Sequence, residues 1–218
     1  MAVTDDGAGG DLFPETILTD RLRLERLGPE NPDPLRYYEH TRLDAPDIEE
    51  TTEYVSWSPN RTPHAGVEFL RYAAESWEER EDATYLVRPR EGEDGAGAFA
   101  GTTGIGVDWD RDRGVLGIWL RKPFWGRGYS GERADALFEL AFERLDLSVV
   151  AVSHLPDNEN SERAITEYVD RHGGRRAGRF RNRLTDADGS VHDTIEYSVT
   201  QSEWRAADGA ETVIEFHD

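Results

Sequence analysis

Leu120-Arg121-Lys122-Pro123-Phe124-Trp125-Gly126-Arg127-Gly128-Tyr129-Ser130 is the stretch that decides the fold. Just before it, residues 115–120 are largely apolar, the pattern of a buried strand. Just after it, Ala134, Leu137, Phe138, Ala141, Phe142 and Leu145 fall at the spacing of an amphipathic helix. A strand that runs through two glycines straight into a helix leaves the helix's first N–H groups, and the positive end of its dipole, at the mouth of the turn. Glycines there let an anion approach the backbone closely. Arg121, Lys122, Arg127 and Arg133 add positive charge within the same short stretch. These features suit a diphosphate. A tight turn that merely caps a helix would look similar at this level. The Gly-Lys-Ser/Thr of a P-loop and the Gly-x-Gly-x-x-Gly of dinucleotide folds are both missing.

Outward from this junction, strand-like and helix-like segments alternate. Towards the N-terminus, residues 98–109 and 83–87 read as strands joined across the Gly-rich, acidic turn at 91–97. Residues 64–81 carry Val67, Leu70, Ala73, Ala74 and Trp77 at helical spacing behind Pro63. Two shorter helical stretches precede it, around Tyr37 and after Pro46. Residues 21–27 alternate strictly as a half-buried strand. Towards the C-terminus, residues 148–153 form a short apolar strand and residues 158–172 a helix with Ala164, Ile165, Tyr168 and Val169 inward. Gly173-Gly174 ends that helix. Residues 175–184 and 191–200 make a closing hairpin. Residues 212–216 are a weaker strand candidate. The order gives a mixed α+β class with one βαβ crossover. One domain is expected over residues 13–205, with a flexible Gly- and Asp-rich tail at 1–12 and a C-terminal extension at 206–218.

The chain of 218 residues carries 45 Asp and Glu against 25 Lys and Arg, a net charge of −20, and Lys122 is its only lysine. Acids spread along the whole length fit a high-salt cytosol, where salt at about 1 M screens repulsion beyond roughly 3 Å. On this background a basic cluster is informative. Arg171, His172, Arg175, Arg176, Arg179, Arg181 and Arg183 fall together without one acid between them. They would meet a phosphate, on a cofactor or on RNA, or else neighbouring surface carboxylates. There is no Cys, hence no disulfide and no thiol nucleophile. The six His show no His-x-x-x-His spacing, so no metal is expected. No apolar run approaches a membrane span and no secretory leader is visible, so a soluble, cytoplasmic protein with no membrane partner is expected. Only one short segment is basic, which argues against a sequence-specific nucleic-acid partner. Monomer and homodimer remain open.

A second motif, His154-Leu155-Pro156-Asp157-Asn158-Glu159-Asn160-Ser161, opens the helix after the next strand. Taken with 120–130 it resembles the GNAT superfamily of acyl-CoA N-acyltransferases, and within it the Rim-type branch that acetylates ribosomal-protein N-termini. The family reads Gln/Arg-x-x-Gly-x-Gly/Ala at its pyrophosphate loop. Gly128 matches the central glycine, while Trp125 and Ser130 depart at the outer positions. Trp-Gly-x-Gly-Tyr is a common Rim-type form. The family's Asn-x-x-Ser matches Asn158 and Ser161. Thr19-Asp20-Arg21-Leu22, residues 178–182, residues 197–200 and Trp204 extend the likeness over about residues 17–205.

The resemblance implies a mostly antiparallel sheet with flanking helices and one splayed parallel strand pair, here residues 115–120 and 148–153. It implies acetyl-CoA as cosubstrate, lying in that gap, and no metal. Backbone N–H groups of Gly126, Arg127, Gly128, Tyr129 and Ser130 would hold the pyrophosphate, Asn158 would position the pantetheine, and an amide near Ile118 or Trp119 would polarise the thioester. Transfer would be direct, to an amine held in the same complex. Many family members supply the departing thiolate's proton from a Tyr seven residues after the Asn. Ile165 stands there, so Ser161, close to the sulfur in Rim-type members, is the expected donor. His154, at the strand end, is the candidate base, because an imidazole changes charge near neutral pH; a carboxylate acting through water competes with it. Trp57 is a candidate for the acceptor groove. The implied activity is N-acetylation of a primary amine, foremost a protein N-terminus. A small-amine or aminoglycoside acetyltransferase and a non-catalytic acyl-CoA sensor are the alternatives.

Overall fold

The computed structural model describes residues 11–207 and 212–218; most of the expected 1–12 tail lies outside them. Among the described residues nine strands form one sheet: β1 (Thr16–Leu18), β2 (Leu22–Arg26), β3 (Asp82–Pro89), β4 (Gly101–Asp108), β5 (Arg113–Leu120), β6 (Val149–His154), β7 (Arg175–Thr185), β8 (Val191–Thr200) and β9 (Glu215–His217). Six α-helices among the described residues interrupt them: α1 (Pro34–Thr41), α2 (Ile48–Thr52), α3 (Pro63–Glu78), α4 (Tyr129–Glu139), α5 (Glu159–Arg171) and α6 (Gln201–Ala206). The spatial order is β7-β8-β6-β5-β4-β3-β2-β1-β9. Every neighbouring pair is antiparallel except β5 and β6. That exception follows from the crossover through α4, the long connection a parallel pair needs.

Helix starts follow local chemistry. Asp33 accepts from the N–H groups of Leu35 and Arg36 at 3.0 and 3.2 Å, ahead of Pro34 at the first helical position. Thr62 and Pro63 repeat the device for α3. Thr200 and Glu203 close a reciprocal capping box on α6.

Strand alternation divides the apolar residues between two faces. Tyr85, Val87, Ile105, Leu116, Val150, Val152, Ile195, Tyr197 and Val199 meet α4 and α5 in the larger core. Leu86 and Trp119 meet α1, α2 and α3 in a smaller one. In the larger core Leu137, Phe138 and Phe142 are essentially buried, each stabilising the fold by about 2–3 kcal/mol relative to exposure.

The C-terminal stretch is part of this sheet. β9 pairs with β1, Ile214 and Phe216 pack on the larger core, and Arg144 bonds Asp218. Leu12 and Phe13, at the boundary of the expected tail, also belong to that core.

Candidate functional site

Pairing between β5 and β6 runs from Arg113↔Val149 to Leu116↔Val152 and stops. β5 continues beside β4 to Leu120, opposite Gly101, while β6 continues beside β8 to His154, opposite Ile195. The two strands therefore part into a wedge at their C-terminal ends. The Arg121 N–H donates to the Ala100 carbonyl at 2.9 Å, and the Thr103 hydroxyl donates to the Gly117 carbonyl at 2.8 Å. Backbone groups alternate sides along a strand. The odd positions of β5 thus face β4, and the amides of Ile118 and Leu120 face the wedge. Of the two expected thioester-facing amides, Ile118 is the one so placed. Trp119 turns its amide to β4 and its ring into the smaller core, edge-on to Trp57 at 5.2 Å between centroids. Trp57 is accordingly a half-buried wall beneath Trp119.

The loop after β5 ends with Gly126 at φ 71° and Gly128 at φ 79°, and α4 starts at Tyr129 without a side-chain cap. The N–H groups of Gly131 and Glu132 both donate to the Gly128 carbonyl. Those of Gly126, Arg127, Gly128, Tyr129 and Ser130 have no acceptor among the described residues. Five consecutive unpaired donors at a helix N-terminus are a ready anion site.

This loop is held from beneath. The Thr19 hydroxyl and the Arg21 N–H donate to Glu132 Oε1 at 2.6 and 2.7 Å, and Arg21 Nε donates to Oε2 at 2.7 Å. Arg21 Nη1 also donates to the Arg127 carbonyl at 2.9 Å. In a trans peptide the N–H points opposite to the C=O. The Gly128 N–H is thereby aimed away from Arg21, towards the mouth. A Cβ on Gly128 would sit 3.3 Å from Arg21 Nη2, a tight contact, on a backbone whose φ of 79° already disfavours an L side chain.

The four local cations do not converge on the loop. Lys122 pairs with Glu50 and Asp47. Arg127 pairs with Asp94 at 3.2 Å. Arg121 donates to the Phe99 carbonyl at 2.7 Å. Arg133 is buried beneath Tyr168, with Nε and Nη1 unpaired. In so acidic a chain, nearby carboxylates claim the exposed cations. Attraction for an anion at this loop therefore rests on the N–H groups and the helix dipole.

At the other side of the wedge, Asn158 caps α5 by accepting the Ser161 N–H on Oδ1 at 3.0 Å. Its side-chain amide and the Ser161 hydroxyl have no hydrogen bond among the described residues. The Ile165 side chain is buried in the core. His154 lies on the α4 and α5 face, 6% exposed and stacked on Tyr197. Its Nδ1 is 2.8 Å from the Leu155 carbonyl. A carbonyl only accepts, so Nδ1 carries the hydrogen and Nε2, buried and unpaired, keeps the lone pair in the neutral ring. On the opposite face of the wedge Gly117 and Ser153 are exposed. Glu196, across from Ser153, is paired with Arg113 at 2.9 Å.

Residues 21–168 match the acetyltransferase (GNAT) domain family. The chain belongs to the GNAT acetyltransferase family. It is 33% identical over 98 residues to "Putative ribosomal N-acetyltransferase YdaF" of Bacillus subtilis, a match over 45% of this chain and 51% of that protein. The chain thus matches about half the length of that curated relative. A GCN5-related N-acetyltransferase from Brucella melitensis superposes with a TM-score of 0.70 at 20% identity, over 90% of this chain and 83% of that one. A ribosomal-protein-S5-alanine acetyltransferase from Vibrio fischeri does so at 0.64 and 15% identity, over 87% and 98%. The latter two likenesses establish the GNAT fold.

Within this GNAT domain, three features escape a reading of the sequence: the Thr19–Arg21–Glu132 brace, the contact of the β3–β4 loop with the loop before α4, and the Glu196–Arg113 pair. The second is carried by Tyr129, whose hydroxyl donates to Glu93 at 2.6 Å. Thr19-Asp20-Arg21 was the only local signal for the first.

Proposed function

We propose that this protein is an acetyl-CoA-dependent N-acetyltransferase acting on a protein N-terminus by direct transfer. The observation that carries the reading is the wedge between β5 and β6 leading to five unpaired N–H groups at the start of α4. An extended amide-bearing arm fits the wedge, and a diphosphate fits the loop. Gly126 to Ser130 would bind the pyrophosphate and the Ile118 amide would hydrogen-bond in the gap. Asn158, its oxygen committed to the helix cap, would contribute its amide.

The cosubstrate supplies an acetyl group on a thioester. The chain must take one proton from the ammonium acceptor before attack and return one to the departing thiolate. The Ser161 hydroxyl, free of intramolecular bonds, is the donor we assign to the thiolate. His154 Nε2 is the lone-pair-bearing nitrogen beside the wedge and the base assigned here; Glu196, on the open face, is the carboxylate that would act through water instead. His154→Ala should lower kcat by about a hundredfold or more. An unchanged kcat moves the role to Glu196, tested by Glu196→Gln.

A ribosomal-protein acceptor is supported by the relative named as a putative ribosomal N-acetyltransferase. Turnover should be measured with acetyl-CoA against N-terminal peptides, small amines and aminoglycosides. CoA release on peptides alone upholds the reading. Release on small amines alone replaces the acceptor, and tight acetyl-CoA binding without turnover on any of them replaces enzyme with sensor.

A further inference from the structure

A pocket of about 190 Å3 lies between α1 and the connection from β3 to β4. Pro32, Arg36 and His40 line it from the α1 side, and Arg88, Ala98 and Phe99 from the sheet side. No carboxylate among the described residues lines it, although the chain has 45 acids and the concavity beside α2 is lined by Asp44, Asp47, Glu49 and Glu50. The pocket is separate from the wedge, because Phe99 leads into β4 and β5 stands between β4 and the gap.

Its lining has a basic part and an apolar part. Arg88 is committed within the fold: Nε donates to Glu25 at 2.8 Å and Nη1 to the Gly97 carbonyl at 2.8 Å. Arg36 is exposed, and its guanidinium has neither a hydrogen bond nor a carboxylate partner among the described residues. That alone is ordinary for a surface arginine. Here, however, the open fork borders a cavity whose other walls include Pro32, Ala98 and Phe99. His40, half-buried, lies tilted on Phe99 at 5.2 Å between centroids. Burial first, then the charges of Arg121 and Arg36, hold its pKa below the ordinary value against the opposing pull of Glu39. The local field is therefore positive in a chain of net charge −20. A guanidinium fork takes a carboxylate bidentately, and an apolar body beside that carboxylate would cover Phe99. At about 30 Å3 per water, the volume suits a compact molecule, well short of a nucleotide or a drug-sized ligand.

The sheet-side wall is tied to the loop before α4. Arg121, at the start of that loop, donates to the Phe99 carbonyl at 2.7 Å. Along the same connection, Glu93 accepts the Tyr129 hydroxyl at 2.6 Å and Asp94 pairs with Arg127 at 3.2 Å. One short segment thus borders the pocket at one end and holds the Gly126–Ser130 loop at the other. We propose that this pocket binds a small organic carboxylate, whose presence fixes the connection from β3 to β4 and tightens acetyl-CoA at the Gly126–Ser130 loop. A segment ordered by a first ligand leaves less ordering to a second, and such coupling is reciprocal. The effector role rests on the acetyl-CoA reading above; the carboxylate site itself does not.

Benzoate and butyrate are the probes, titrated into the full chain at fixed ionic strength, with benzamide and inorganic phosphate as controls. Calorimetry should give a millimolar Kd for at least one carboxylate, weaker binding for phosphate and none for benzamide. Amide-proton exchange of residues 91–99 should slow on binding. Arg36→Ala should weaken the carboxylate about tenfold or more, and Arg36→Lys, which keeps the charge but not the fork, should retain part of the affinity. Neither variant should lower Tm, since the exposed guanidinium bonds nothing in the fold. Saturating carboxylate should tighten acetyl-CoA about fivefold, and Arg36→Ala should remove that effect while leaving acetyl-CoA affinity without carboxylate unchanged. Failure of both carboxylates to bind overturns the proposal. So does equal binding of phosphate or benzamide, or equal binding by Arg36→Ala. Carboxylate binding that changes neither exchange nor acetyl-CoA affinity overturns the effector role. If carboxylate binds through Arg36 but acetyl-CoA does not bind at all, the acetyltransferase reading falls and the carboxylate site stands.

Discussion

At Gly128 three demands meet: a left-handed φ of 79°, a carbonyl that takes both the Gly131 and Glu132 N–H groups, and an N–H aimed at the mouth. An L-residue in this backbone region costs about 1–2 kcal/mol, and a Cβ would press on Arg21 Nη2. Gly128→Ala should leave the fold cooperative with a small loss of Tm, yet weaken acetyl-CoA about tenfold or more by calorimetry, because the strain falls on the donors themselves. Unchanged affinity would mean the loop does not bind the pyrophosphate. Ser161 makes the complementary case. Its hydroxyl supports neither the α5 cap, which Asn158 supplies, nor any other bond among the described residues. Ser161→Ala should therefore unfold nothing and bind acetyl-CoA normally, while kcat falls about a hundredfold if the hydroxyl supplies the thiolate's proton. Both residues were legible in the sequence because their signals are local: a glycine between strand and helix, and an Asn-x-x-Ser at a helix start.

At the scale of elements, legibility declines with sequence separation. β5, α4 and α5 follow from periodicity within a few turns, and the parallel pairing follows from the crossover. The brace does not. Thr19 and Arg21 lie 113 and 111 positions from Glu132, and no local pattern pairs them. The three-residue β1 is likewise too short for alternation to reveal. At the end of α4 the turn Leu140–Arg144 widens to a π-helix, although the apolar spacing there reads as continuous helix. Glu132 is almost fully buried and Arg21 about two-fifths exposed. Removing the acid by Glu132→Ala would strand Thr19 and Arg21 and cost about 3 kcal/mol in a denaturant titration. It should also weaken acetyl-CoA, since the Arg127 carbonyl loses its fixed partner. A second tie joins α4 to α5 through Asp135. Burial raises its pKa, but hydrogen bonds from His172 and Arg171 outweigh that and hold the carboxyl below its usual value. A lowered carboxyl stabilises the fold fully above its ordinary value near about 4, and the contribution is lost as pH falls from there through its own lowered value. The stability difference between wild type and Asp135→Asn should thus be full at pH 7 and shrink towards pH 3; a constant difference would show that the pair contributes only packing.

For the molecule as a whole, the charge of −20 was plain in the sequence, but its consequence for the site was not. Four cations near the Gly126–Ser130 loop looked like anion ligands. Lys122 and Arg127 instead pair with Asp47, Glu50 and Asp94, because acids are everywhere within reach. An acidic surface thereby draws these two cations away from the loop. The same charge sets a global cost. Self-repulsion among carboxylates opposes the compact state, and its range shrinks from about 10 Å at 0.1 M salt to about 3 Å at 1 M. The short ion pairs, such as Arg113 to Glu196 at 2.9 Å, lie within that range and are partly buried, so they survive where the long-range repulsion does not. Added KCl should accordingly raise Tm steadily from 0.1 to about 2 M, with most of the gain below 1 M, where screening changes fastest. Calorimetric melts across that series would measure it. A flat or falling Tm would mean that local pairing already neutralises the surface, and the high-salt reading of the composition would go with it.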